Sequence, residues 1–270
     1  MSVDSSEARD ARARKLTARY DADSTAYREL WAPTLRLASV PLVRELPAAG
    51  VRRLVDIGAG VGALWPELRS AFPGARLLGI DRSHGMLRLA PSDVPRVVSD
   101  ARALPVESDR VDLAVLVFML FHLERPGDAL REARRIVRPG GTVGTITWGV
   151  DLASPATRLW TACLDEHGAA PSDPVTQARH ELVDTPDKMS ALLRSAGFET
   201  VRAWTDDIVT VMVLEHLVAL KTRMGSEKAR FDSLDTAARG SCIVEARRRL
   251  GNLTPSDFTA RGTIVYAVAS

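Results

Sequence analysis

The residues best placed for chemistry form one short run, Val55-Asp56-Ile57-Gly58-Ala59-Gly60-Val61-Gly62. It follows the β-branched stretch Arg53–Ile57 and opens the helical stretch Leu64–Phe72. Glycines in such a strand-to-helix turn let the backbone bend tightly and approach a ligand closely, and the helix start adds oriented N–H groups. Asp81 ends the next strand, where a carboxylate can accept both hydroxyl hydrogens of a ribose. A simple tight βα turn without a ligand would look much the same over these eight residues.

Two classes of ligand fit this pattern. Gly58-x-Gly60-x-x-Ala63 satisfies the dinucleotide fingerprint with Ala in third place, and Asp81 serves NAD and adenosyl-sulfonium ligands equally. Asp56 separates them. Two places before Gly58, its carboxylate suits a cationic amine and is awkward beside a pyrophosphate. S-adenosylmethionine carries an ammonium and a sulfonium, whereas NAD carries two phosphates. A helix N-terminus here would face the ligand's carboxylate.

The elements that must hold these residues alternate. Strands are predicted at Arg53–Ile57, Ala75–Ile80, Val94–Ser99, Val111–Phe118 and Thr142–Trp148, with helices at Leu64–Phe72, Ser83–Leu89 and Pro126–Val137. Val111–Phe118 is almost unbroken in its apolarity, as a strand buried on both faces should be. Right-handed connections then lead to a doubly wound, mostly parallel α/β sheet, seven-stranded once Phe198–Trp204 and Thr263–Ala269 are added. Helices are predicted at Arg9–Tyr20 and Thr25–Leu46, and again at Met189–Ala196, Met212–Met224 and Phe231–Leu250. This gives an N-terminal helical cap (1–50) and a Rossmann-like core (51–150, completed by 191–205 and 262–270). A mainly helical lid (151–190 and 206–261) covers the acceptor site.

Composition narrows the function classes. Thirty-six basic residues, 32 of them Arg and four Lys, face 34 acidic ones, a net charge of +2 that leaves no footprint for nucleic acid. Two cysteines, Cys163 and Cys242, lack zinc spacing and cannot make a disulfide framework. The N-terminal stretch MSVDSSEARDARARKL lacks the apolar core of a signal peptide, and the apolar run Leu113–Leu123 is too short to span a bilayer. The expectation is a soluble cytoplasmic protein, monomer or homodimer, with no membrane or nucleic-acid partner.

The chain resembles the class I S-adenosylmethionine-dependent methyltransferases that act on small molecules. The resemblance rests on six segments in register: Asp56-x-Gly58-x-Gly60-x-Gly62; Gly79-Ile80-Asp81-x-Ser83-x-x-Met86-Leu87; Ser99-Asp100-Ala101 with Leu104-Pro105; Asp112-Leu113; Phe121-His122-Leu123; and Arg138-Pro139-Gly140-Gly141. It covers about residues 51–149. It implies S-adenosylmethionine as cofactor and S-adenosylhomocysteine as product, with Asp56, Gly58, Ala59, Gly60 and Gly62 around the methionine end. Asp81, with Arg82 beside it, would hold the ribose, and Met86 would pack on the adenine. Asp100 would accept from the adenine amino group while the Ala101 N–H meets a ring nitrogen. Val117 and Phe118 would line the other side.

Tyr20 on the N-terminal helices would close over the cofactor. Tyr27, His122 and Trp148 would meet the acceptor. His122, just past the fourth strand, is the acid–base candidate, and a packing role is its alternative. The segment Phe118–His122 lacks the acidic residue that magnesium-dependent catechol-type enzymes need, so no metal is expected. The expected activity is methyl transfer to oxygen or carbon of a small acceptor, of the kind met in secondary metabolism and antibiotic biosynthesis. Two alternatives stay open: an NAD(P)-dependent oxidoreductase, and an adenosyl-ligand-binding cyclase or regulatory protein that transfers no methyl.

Overall fold

The computed structural model describes residues 6–270, so the first five residues of the predicted cap, and of the stretch read against a signal peptide, lie outside it. The chain begins with α1 (Ser6–Leu30) and α2 (Ala32–Glu45). Next come β1 (Arg53–Ile57), α3 (Trp65–Ala71), β2 (Arg76–Asp81), α4 (His84–Leu89), β3 (Arg96–Val98) and β4 (Val111–Val117). A short 3-10 turn, Leu120–His122, leads to α5 (Pro126–Ile136) and β5 (Val137–Leu152). The remainder is α6 (Pro155–Glu166), α7 (Pro174–His180), α8 (Pro186–Ser195), β6 (Val201–Val211), α9 (Leu214–Arg223), α10 (Gly225–Asp232), α11 (Thr236–Leu250) and β7 (Thr259–Ala269).

The strands form one seven-stranded sheet in the order β3-β2-β1-β4-β5-β7-β6, parallel except for β7, which runs antiparallel to both neighbours. The order reverses between β1 and β4. Open α/β sheets bind ligands at such a switch point, beyond the C-terminal strand ends. β4 sits at the centre with Val111–Leu116 all buried, which accounts for its unbroken apolar sequence. Helix α5 turns Ala129, Leu130, Ala133 and Ile136 inward at helical spacing and holds its charged residues outside. A second apolar cluster joins α6 to α9, α10 and α11 through Trp160, Cys163, Leu217, Phe231, Cys242 and Leu250.

Four local expectations need correction. The N-terminal helices divide at Trp31, not between Tyr20 and Thr25, because residues 21–24 carry no helix breaker and α1 runs through them. Pro139-Gly140-Gly141 does not precede a strand but is absorbed as an irregularity within β5, where pairing jumps from Val111↔Val137 to Leu113↔Thr142. Residues 206–211, assigned to a helical lid, continue β6 and pair with β7 as far as Val211↔Thr259. Their β-branched run (Ile208 to Val211) suits a strand. The stretch Phe231–Leu250 breaks at Asp235, which accepts the Ala238 N–H at 2.8 Å and caps α11. Among the described residues no helix is long and apolar enough to cross a membrane.

Candidate functional site

The glycine turn is fixed from below by β2. Ile80 O accepts the N–H groups of Gly58 (2.7 Å) and Ala59 (3.0 Å), which bends the chain away from the sheet at the end of β1. Gly58 has φ +78°, and a Cβ there would stand 2.7 Å from the Cβ of Met119. Only glycine lets the turn and the loop after β4 approach this closely.

The two carboxylates stand at adjoining strand ends, Asp56 buried and Asp81 half-buried. Asp56 accepts the Trp65 indole N–H at 3.0 Å. Burial pushes its carboxyl up to about 7, with the indole hydrogen bond opposing and the charge of Asp81 adding. Asp81 accepts the Gly60 N–H on one oxygen and the Ser83 N–H on the other, each at 2.8 Å. Burial raises its carboxyl too, held back by those two N–H groups. Ser83 also caps α4 through the Met86 N–H.

Above these strand ends lies a channel, roofed by α1 and open in part to solvent. Its floor is Gly58, Gly60, Asp81, Arg82, Met86, Ala101 and Val117. Phe118 sits beside them with φ +52°, an uncommon backbone state for a side chain of this size. Helix α1 forms the roof with Leu16, Thr17, Tyr20 and Tyr27. An adjoining hollow contains Asp56 and Ala59 and shares Tyr27, Gly58, Gly60, Val117 and Phe118 with the channel.

The Tyr20 hydroxyl lies 2.7 Å from His122 Nε2, with the two rings edge to face. Burial lowers the imidazole to about 3, reinforced by the charges of Arg19 and then those of His180 and Arg179. Neutral at ordinary pH, the ring can accept the phenol proton at Nε2. Burial pushes Tyr20 up to about 12, so its hydroxyl keeps that proton.

Three of the sequence-based candidates line neither the channel nor the hollow around Asp56. Gly62 packs on Trp65. Trp148 packs, rings tilted, against Phe118 (4.5 Å between centroids) and Trp31 (5.9 Å), outside the lining. Asp100 is held by Arg102, whose Nε and Nη2 lie 3.0 and 2.8 Å from its two oxygens, with the Arg82 guanidinium 3.5 Å away. Against its desolvation, these contacts hold the carboxyl below its usual range. Its oxygens are already engaged, and Ser99 and Ala101 line the channel in its place.

Sequence reading missed Met119, Ser83 and the α1 residues Leu16 and Thr17. The last two lie one helical turn before Tyr20, on the same face, so the spacing alone could have flagged them.

Residues 55–145 match the family model described as a methyltransferase domain. The malonyl-[acyl-carrier protein] O-methyltransferase of Methylococcus capsulatus is 35% identical over 133 residues, 44% of this chain and 48% of that protein. The ubiquinone/menaquinone biosynthesis C-methyltransferase of Syntrophotalea carbinolica is 32% identical over 116 residues, 39% of this chain and 46% of that protein. The chain thus spans about half the length of these curated relatives. Among solved structures, the Haemonchus contortus phosphoethanolamine N-methyltransferase 2, in complex with phosphomonomethylethanolamine and S-adenosylhomocysteine, aligns with TM-score 0.53 at 18% identity. The alignment covers 93% of this chain and 57% of that one, a likeness of fold.

Proposed function

We propose, from the premise that residues 55–145 form a methyltransferase domain, that this chain moves a methyl group from S-adenosylmethionine to a small acceptor. The observation that carries the reading is the pair of carboxylates, buried Asp56 and half-buried Asp81, flanking the Gly58–Gly62 turn at the switch point of the sheet. Two carboxylates this close favour a cationic ligand and repel a pyrophosphate. Asp81 has lone pairs left for ribose hydroxyls after accepting two N–H groups. Asp56 would take the ammonium of the amino-acid end. Met86, Ala101 and Val117 would enclose the adenine, with Arg82 at its edge, and Tyr20 and Tyr27 would cover the ligand from α1. Asp100 acts there through the loop that it and Arg102 hold together.

When bound, the cofactor supplies a methyl already activated by its sulfonium. The protein's task is to align the acceptor and exclude water. The roof of α1 does the second. Where the acceptor carries a proton, Tyr20 and His122 handle it as a pair. The proton reaches the Tyr20 oxygen while the phenol's own proton moves to His122 Nε2. An imidazolium there is costly while a second cation shares the cavity. Loss of one positive charge from the cavity on methyl transfer would lower that cost.

The aromatic surroundings of Phe118, with Trp148 and Trp31 behind it, support an acceptor of low polarity, of the secondary-metabolite kind. The reading also carries a cytoplasmic location. The relatives' names include O- and C-methylation, so the acceptor atom follows from neither.

The test is thermal unfolding with S-adenosylhomocysteine and, separately, NAD and NADP. A specific ligand raises the midpoint by mass action. A shift with S-adenosylhomocysteine alone is expected. A shift with NAD or NADP alone would overturn the reading. Conversion of S-adenosylmethionine to its homocysteine product with an acceptor panel then separates a transferase from a protein that only binds the ligand.

A further inference from the structure

Glu124 lies two residues past His122, outside the channel lining, yet it ties two separate pieces of the cover together. From α1, Arg12 donates through Nε to Glu124 Oε1 at 2.5 Å and through Nη2 to Oε2 at 3.2 Å. From α7, Arg179 donates through Nη2 to the same Oε1 at 3.0 Å. The Arg179 side chain is 13% exposed and that of Glu124 21%, so this bridge is largely shielded from water. α7 has no buried residue of its own. It is also anchored by His180, whose ring stacks on Phe121 with centroids 4.3 Å apart. Along α1, Arg12 sits about two turns before Tyr20, whose hydroxyl meets His122 Nε2.

The geometry points to Glu124 as a positioning residue whose carboxylate couples α7 to α1, so that docking of α7 holds α1 over the channel and keeps Tyr20 on His122. This rests on the proposed cofactor reading. Its consequence is that a residue outside the channel lining governs cofactor release. Arg179 lines neither the channel nor the hollow around Asp56.

The experiment measures release of S-adenosylhomocysteine from the full chain by stopped flow, for the parent, Glu124→Gln, Arg179→Gln and the double variant. Charge-assisted hydrogen bonds with partial exposure translate to release faster by about tenfold in each single variant. The double variant should be no faster than Glu124→Gln, since both remove one coupling. Hydrogen exchange of apo Arg179→Gln should speed up along residues 9–24 of α1, while the unfolding midpoint stays within a few degrees of the parent. A merely structural role for Arg179 would loosen α7 and leave α1 as it was. Parental release rates in Arg179→Gln with binding intact, or strictly multiplicative effects in the double variant, would overturn the coupling alone. Failure of the parent to bind S-adenosylhomocysteine would overturn the cofactor reading and the coupling with it.

Discussion

Strand β4 and helix α1 border the same channel from opposite sides, and they are held in opposite ways. β4 is buried along Val111–Leu116 and bonded to a strand on each edge. α1 contributes little to the apolar core over its 25 residues. Polar contacts fix it instead. Asp21 accepts the Ser83 hydroxyl at 2.6 Å and the Gly85 N–H at 2.7 Å, Arg12 reaches Glu124, and Tyr20 meets His122. The two sorts of attachment suit different tasks. Close-packed apolar contact gives a rigid floor that places Asp56, Asp81 and the glycine turn. Hydrogen bonds and ion pairs at the margin of the molecule can be exchanged for water at small net cost, which suits a roof that must open for a ligand.

The contrast is sharpest in stability. Leu116→Ala, at a fully buried position near the end of β4, should cost about 2–5 kcal/mol in urea unfolding. Asp21→Ala removes two hydrogen bonds from α1, yet should cost only about 1–2 kcal/mol, because water replaces them. Its main effect should be faster hydrogen exchange confined to α1. Equal losses in the two variants would break the distinction between floor and roof.

Cofactor binding should depend on pH through the floor. Asp56 has a carboxyl near 7 in the empty site, and a bound ammonium stabilises its ionised form. The bound-state value is then lower than the free one. Affinity for S-adenosylhomocysteine is complete above pH 7 and falls, by up to about tenfold per pH unit, as pH drops below it. Calorimetric titrations at pH 8 and pH 6 measure this, and Asp56→Asn should flatten the profile.

The smallest effect concerns the roof. A free-standing histidine would give the pH–rate profile a rising limb near its ordinary range of about 6–7. His122 is held down to about 3, so no such limb should appear in that window. His122→Ala should still slow turnover of a proton-bearing acceptor, since Tyr20 loses the partner that takes its proton. A rising limb near pH 6–7 that vanishes in His122→Ala would show an accessible imidazole and break the pairing with Tyr20.

The floor was legible in the sequence because its signals are local. Strand, glycine turn, helix and the next aspartate occur within about thirty residues, and backbone geometry alone brings Asp56, Gly58 and Asp81 together. The roof was legible only in part. Tyr20 and His122 each stood out, but their contact spans 102 positions, and no periodicity encodes it. The Glu124 bridge is a meeting of three ordinary charged residues, among 70 in the chain, that only the folded structure can select. Asp100 was recognised by its place after β3, but Arg102, two residues on, engages both its oxygens. The extension of β6 to Val211 was hidden because its pairing partner, β7, lies some fifty residues later.

Asp81 is the carboxylate proposed to bind the ribose beneath α1. The most direct test of that role is a calorimetric titration of S-adenosylhomocysteine into the parent chain and into Asp81→Asn, whose amide keeps the side chain's shape. The parent should bind one equivalent. In the variant, loss of the charged acceptor should weaken binding by at least about tenfold, the scale of one hydrogen bond to a charged group, with the protein still folded. Equal affinity in the two proteins would contradict the assignment.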